Sequence, residues 1–168
     1  MTSDELIAIL IKAEGPQVEF KIEFPQQAHD VAREMVALAN SGGGILLMGV
    51  ENDGTPKGIS DPEKAEERLS GIARGCTPSI QAEIDKFQLS KKIFLVYAKV
   101  SPANSLTLYQ ARAYTRTGST THEATAEEIT RIVMKMQRAS SPSKASTGQR
   151  KRKGVLKSTT VATHSGNV

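Results

Sequence analysis

Apolar side chains recur along this chain at two spacings, and the places where one gives way to the other mark the elements. Ser3-Asp4-Glu5 can cap a helix whose apolar face takes in Leu6, Ile7, Leu10 and Ile11, with Gly15-Pro16 ending it. Val18, Phe20, Ile22 and Phe24 then alternate with Glu19, Lys21 and Glu23, the period of a strand with one wet face, which Pro25 closes. From residue 27 to 39 the spacing turns helical, with apolar side chains at 28, 31, 32, 35, 36 and 39. Asn40-Ser41-Gly42-Gly43-Gly44 ends that helix, because these residues tolerate positive φ at low cost. Residues 45–50 form an unbroken apolar run, which predicts a central strand covered on both faces. Glu51-Asn52-Asp53-Gly54 is turn chemistry that sets acids at the rim of this strand. Strand, helix and strand in that order predict a parallel pair, adjacent or one strand apart.

Asp61-Pro62 opens a helix in the favoured order of cap and first turn, running to about Ala73 with Leu69 and Ile72 inward. Residues 80–89 and 93–100 read as an antiparallel pair, and residues 106–109 and 112–116 as a shorter one. Thr125-Ala126-Glu127-Glu128 has the form of a capping box, leading into a helix with Ile129, Ile132, Val133 and Met136 on one side. The pattern as a whole predicts one α/β domain over residues 1–138, a single mixed sheet with flanking helices. It predicts a disordered basic tail over residues 139–168, whose Ser, Thr, Gly and Lys cannot offset their ordering entropy by burial.

Charge changes the picture. The chain has 168 residues and a formal net charge of +4, but residues 1–128 hold 13 Lys and Arg against 18 Asp and Glu, a net −5. Residues 129–168 hold 9 basic and no acidic residue, a net +9. Within them, Arg150-Lys151-Arg152-Lys153 would attract a phosphate backbone through counterion release without reading sequence. One cysteine, Cys76, allows no intramolecular disulfide and no zinc cluster. The first residues lack a basic region before their apolar run, and no run approaches the roughly 18 apolar residues of a membrane span, so a cytoplasmic protein without membrane contact is expected.

Four pieces of the chain, in order, are Glu14-x4-Glu19-Phe20-Lys21, Ala39-Asn40-Ser41-Gly42-Gly43-Gly44, Gly49-Val50-Glu51-Asn52-Asp53-Gly54 with Gly58-Ile59, and Arg116-x-Gly118-Ser119-Thr120. This ordered set closely resembles the Schlafen-type AlbA-like domain over roughly residues 5 to 135. The resemblance implies a nucleic-acid-associated α/β domain, described as DNA-binding in bacterial and archaeal members and as an endoribonuclease using three carboxylates in animal Schlafens.

Glu14, Glu19 and Glu51, with Asp53 as a substitute for the third, are the candidate catalytic acids. Three convergent carboxylates in a partly buried cleft would hold a divalent cation, Mg²⁺ or Mn²⁺, able to polarise a phosphodiester and orient a water. Their spacing fits equally well with a solvated strand face and a surface turn. In parallel neighbours, moreover, Glu14 precedes one strand and Glu51 follows the other, about seven residues of roughly 3.3 Å apart. The trio therefore converges only if the first strand is displaced, reversed or shorter than its alternation suggests.

Lys21, Arg116, Ser119 and Thr120 are candidate phosphate contacts, with Gly118 freeing backbone amides to approach the ligand. A plain hairpin turn is the competing reading of residues 116–121, and His122 with Glu123 reads as a surface pair. The triple glycine follows a helix and leads into a strand, the reverse of a phosphate-binding P-loop, so no ATP is expected. Binding to DNA or RNA is the favoured function. Divalent-metal-dependent ribonuclease action and a regulatory protein-interaction module are the alternatives. An acidic domain repels phosphates unless a homodimer groove, a metal or the tail compensates.

Overall fold

The computed structural model describes residues 1–140, and the expected basic tail lies outside the described residues apart from Ala139 and Ser140, which end the last helix. Two sheets share one helix. The larger sheet contains β1 (Val18–Lys21), β2 (Gly44–Met48), β3 (Ala82–Gln88) and β4 (Phe94–Val100) in the order β1-β2-β4-β3. β1 runs parallel to β2, with Val18 opposite Ile45 and Lys21 opposite Met48, and the other pairings are antiparallel. The smaller sheet, β5 (Leu108–Tyr109), β6 (Arg112–Thr117) and β7 (Thr120–Glu123), is antiparallel throughout.

Helix α1 (Ser3–Lys12) covers one face of the larger sheet. Thr2 caps it with a complete capping box to Glu5, one residue earlier than Ser3-Asp4-Glu5 suggested. Leu6 enters a cluster with Val18, Phe20, Leu47, Val50, Leu95 and Tyr97, and Ile9 and Leu10 pack beside it. Ile7 and Ile11, expected on the apolar face, are 52% and 80% exposed. Gly54 tucks beneath this helix with φ +87, and a Cβ there would lie 2.5 Å from the carbonyl oxygen of Leu10.

Helices α2 (Ala28–Asn40) and α3 (Pro62–Gly75) cover the opposite face, where Leu46, Met48, Val96, Ala98 and Val100 point. The alternation of β2 and β4 between the two clusters follows from the strand period of two. Asp61 caps α3 and Pro62 opens it, as its sequence predicts. α2 is buried nearly all round from Val31 to Asn40 because the smaller sheet lies across its far side. Gly44, the first residue of β2, is set so close to the start of β1 that a Cβ would meet the Gln17 carbonyl oxygen at 2.5 Å.

The first strand is shorter than its alternation suggests. It stops at Lys21 because its partner ends at Met48, and the Gly49 and Val50 amides both turn back to the Lys21 carbonyl at 2.7 and 3.2 Å. Ile22 is left 49% exposed, Glu23 accepts from the amide and hydroxyl of Ser60, and Phe24 lies under the Arg68 guanidinium at 3.7 Å. Helix α4 (Ala126–Ser140) closes the described chain, with the Thr125–Glu128 capping box in place. None of its residues is fully buried, and clefts remain between it and the loop at Pro102 to Leu106.

Candidate functional site

The end of α2 fastens the two sheets together. Asn40 is 6% exposed, and its amide group donates to the carbonyls of Thr107 and Tyr114 while its carbonyl accepts from the Thr107 amide at 2.9 Å. The adjoining Ser41 hydroxyl pairs with Thr115 and accepts from the Arg116 amide. Residues that read locally as a helix stop are therefore also the clasp for β6, and only the fold-back of a strand some 70 positions later reveals it.

Arg116 is the hub of a buried network. Its side chain is 1% exposed, and its two terminal nitrogens donate to Glu34 and Glu19 at 3.0 Å each, to Thr121, and to the Gly15 and Ser119 carbonyls. Glu34 also accepts from the Thr121 hydroxyl, and Glu19 is paired with Lys21. Glu19 and Glu34, from the larger sheet and α2, thus share the Arg116 guanidinium from the hairpin, and Lys21 on Glu19 and Arg33 at 3.5 Å from Glu34 supply the remaining positive charge, which pairs buried charges that would otherwise be costly. Glu19 stands on a covered face, not on the wet face that its alternation with Lys21 predicted. Arg116 is turned inward, so its guanidinium is not on the surface where a phosphate contact would need it.

Glu14 lies elsewhere. The chain doubles back through an antiparallel bridge between Gly15 and Val18, and the Glu14 carboxylate accepts the outward Phe20 amide of β1 at 3.2 Å. Glu51 sits in the turn beyond β2, 41% exposed and 3.6 Å from Lys57. Asp53 accepts the Thr55 amide in an Asx turn, which holds its carboxyl below the usual range. The doubling back carries the Glu14 carboxylate to Phe20, one residue from the end of β1, while Glu51 lies three residues beyond the end of β2 and is held toward Lys57. Both oxygens of Glu19 are already taken by cations. Among the described residues, no group of three or more His, Cys, Asp or Glu side chains is placed to hold a metal ion. The expected trio and a Mg²⁺ or Mn²⁺ ion therefore do not fit the arrangement as folded.

Residues 116–121 form the tip of the β6–β7 hairpin, with Gly118 at φ +60 and Ser119 and Thr120 exposed. His122 pairs with Glu128 at 3.0 Å rather than with Glu123, which instead meets Arg112 at 2.9 Å. The Thr125 amide, with His122 beside it, draws the Glu128 carboxyl down to about 2. Between this hairpin and α4 runs an open cleft of about 280 Å³, lined in part by Ser41, Thr117, Arg131 and Lys135. Glu34 and the strand β7 escaped sequence reasoning. A glutamate within the span of a helix that carries six apolar positions was the available signal for the first. No helix of the described residues is long and apolar enough to cross a membrane.

Residues 14–125, two thirds of the chain, match the family model described as Schlafen, AlbA_2. No curated protein matches. Among solved structures, the chain is similar to the crystal structure of the DIP2311 protein from Corynebacterium diphtheriae, at 19% identity and a TM-score of 0.48. That likeness covers 65% of this chain and 25% of the other. It is also similar to the solution structure of the N-terminal domain of a protein from Nitrosomonas europaea named as related to the ATP-dependent DNA helicase RecG. There the identity is 28%, the TM-score 0.45, and the coverage 60% of this chain and 70% of that one.

Proposed function

This chain belongs to the Schlafen AlbA_2 family, generally associated with nucleic acids, and from that premise we propose that it binds the backbone of DNA or RNA through its cationic C-terminal quarter. The observation that carries the reading is where the charge reverses. Residues 1–128 are net −5, and their one central guanidinium is occupied internally. After Glu128 every charged side chain is basic, beginning with Arg131, Lys135 and Arg138 on α4 and continuing through Arg150, Lys151, Arg152 and Lys153. The hydroxyls of Thr117, Ser119 and Thr120 at the hairpin tip are exposed and add neutral donors. Residues 1–128 present a polynucleotide with net negative charge and residues 129–168 with net positive charge, so the grip is electrostatic and indifferent to sequence.

The test is fluorescence anisotropy of labelled duplex DNA and structured RNA with the full chain across a salt series. Affinity falls steeply with salt, and Gln at positions 150 to 153 together makes the log–log slope shallower by about 3 to 4 on duplex DNA, at about 0.9 per phosphate neutralised. Affinity indifferent both to salt and to those substitutions overturns the proposal. Parallel incubations with Mn²⁺ or EDTA, on wild type and Glu19→Gln, report strand scission. Metal-dependent cutting lost in the variant would return the endoribonuclease reading.

A further inference from the structure

The cleft between α4 and the β6–β7 hairpin brings together two cations and one hydroxyl, those of Arg131, Lys135 and Thr117, that no side-chain contact within the described fold consumes. Arg131 and Lys135 are four residues apart and so lie one above the other on the same face of α4. Both are exposed, and among the described residues neither has an ion-pair or hydrogen-bond partner. Like charges at this spacing oppose one another along a helix. The other charged groups of the cleft are engaged: Arg116 by Glu19 and Glu34, and Glu128 by His122 and the Thr125 amide. Across from the two cations stand the Ser41 hydroxyl, already paired with Thr115, and the exposed Thr117.

We infer that this cleft seats a phosphate oxyanion, one phosphodiester of the bound backbone, with Arg131 and Lys135 supplying charge and Thr117 a neutral donor. Two non-bridging oxygens suit that set, because a diester carries a single charge shared between them and each can take a charge-assisted bond. The identity of the ligand as a polynucleotide rests on the proposed function. The oxyanion chemistry does not, and a free phosphate satisfies it equally.

The experiment keeps the two apart, using the full chain throughout. In the first arm, Arg131→Gln with Lys135→Gln is compared with Lys91→Gln with Lys92→Gln, which removes the same charge from the exposed β3–β4 turn. The cleft pair loses affinity for duplex DNA about tenfold, and its salt slope becomes shallower by about one, the signature of one phosphate contact. The control pair keeps its slope. Thr117→Val loses affinity severalfold with the slope unchanged. Equal behaviour of the two double variants overturns the inference. In the second arm, inorganic phosphate is titrated against the wild type and the cleft variant while the Ser41 and Thr117 amides are followed by NMR. Saturable shifts in the wild type that vanish in the variant support the site, and their absence in the wild type overturns it. If the wild type binds no polynucleotide at low salt, the proposed function fails, and the phosphate arm alone decides the site.

Discussion

At the scale of single residues, the fold depends most on two polar side chains buried where apolar ones are the rule. Asn40 makes three hydrogen bonds to the backbone of the smaller sheet. Asn40→Ala strands an amide and two carbonyls away from water, at about 1 kcal/mol or more each, so urea unfolding should show a loss of about 3 kcal/mol. Arg116→Met leaves Glu19 and Glu34 as buried charges without their shared partner and should cost about 3–5 kcal/mol. Adding Glu19→Gln and Glu34→Gln to it should restore much of that stability, and failure to do so would show that Arg116 serves by packing and not by charge. Neither role is written in local spacing. Asn40 reads as a helix stop and Arg116 as a surface cation until the hairpin is laid across α2, because their distant partners lie 67 to 101 positions away.

At the scale of elements, the local signals were legible and the long-range ones were not. Asp61-Pro62, the Thr125–Glu128 box and the turn after Gln88 each fall where the residues predict, since caps and turns are set by side chains bonding nearby backbone. The first strand was over-extended by three residues and β7 was overlooked, because strand length is decided by where a partner ends. The box at α4 yields a pH prediction. The Glu128 carboxyl is drawn from its usual 4.5 down to about 2, first by the Thr125 amide and then by His122. A lowered carboxyl stabilises the fold above about 4.5, and that contribution is lost as pH falls toward about 2. Hydrogen exchange of the first-turn amides of α4 should accelerate in that window, and Glu128→Gln should remove the pH dependence from this turn.

For the whole molecule, the shared helix makes the two sheets one cooperative unit. α2 is buried between them, and Asn40, Ser41 and Arg116 tie them at its end, so neither sheet retains a complete core without the other. Amides of β4 and β6 should therefore lose exchange protection at the same urea concentration, and separate midpoints would show that the sheets unfold independently. The charge division was legible from composition, and the family resemblance, which the match over residues 14–125 bears out, from four short motifs in order. The fate of the carboxylates was not, because it turns on the parallel register and on the doubling back at Gly15.

That doubling back has a further effect. With the Phe20 amide spent on Glu14, the outer side of β1 is closed, and among the described strands of the larger sheet only β3 keeps an open edge, on which the Lys86 amide is already taken by Asp85. Copies of this protein meeting along that edge would occupy it in each other, so strand pairing through the larger sheet would stop at two.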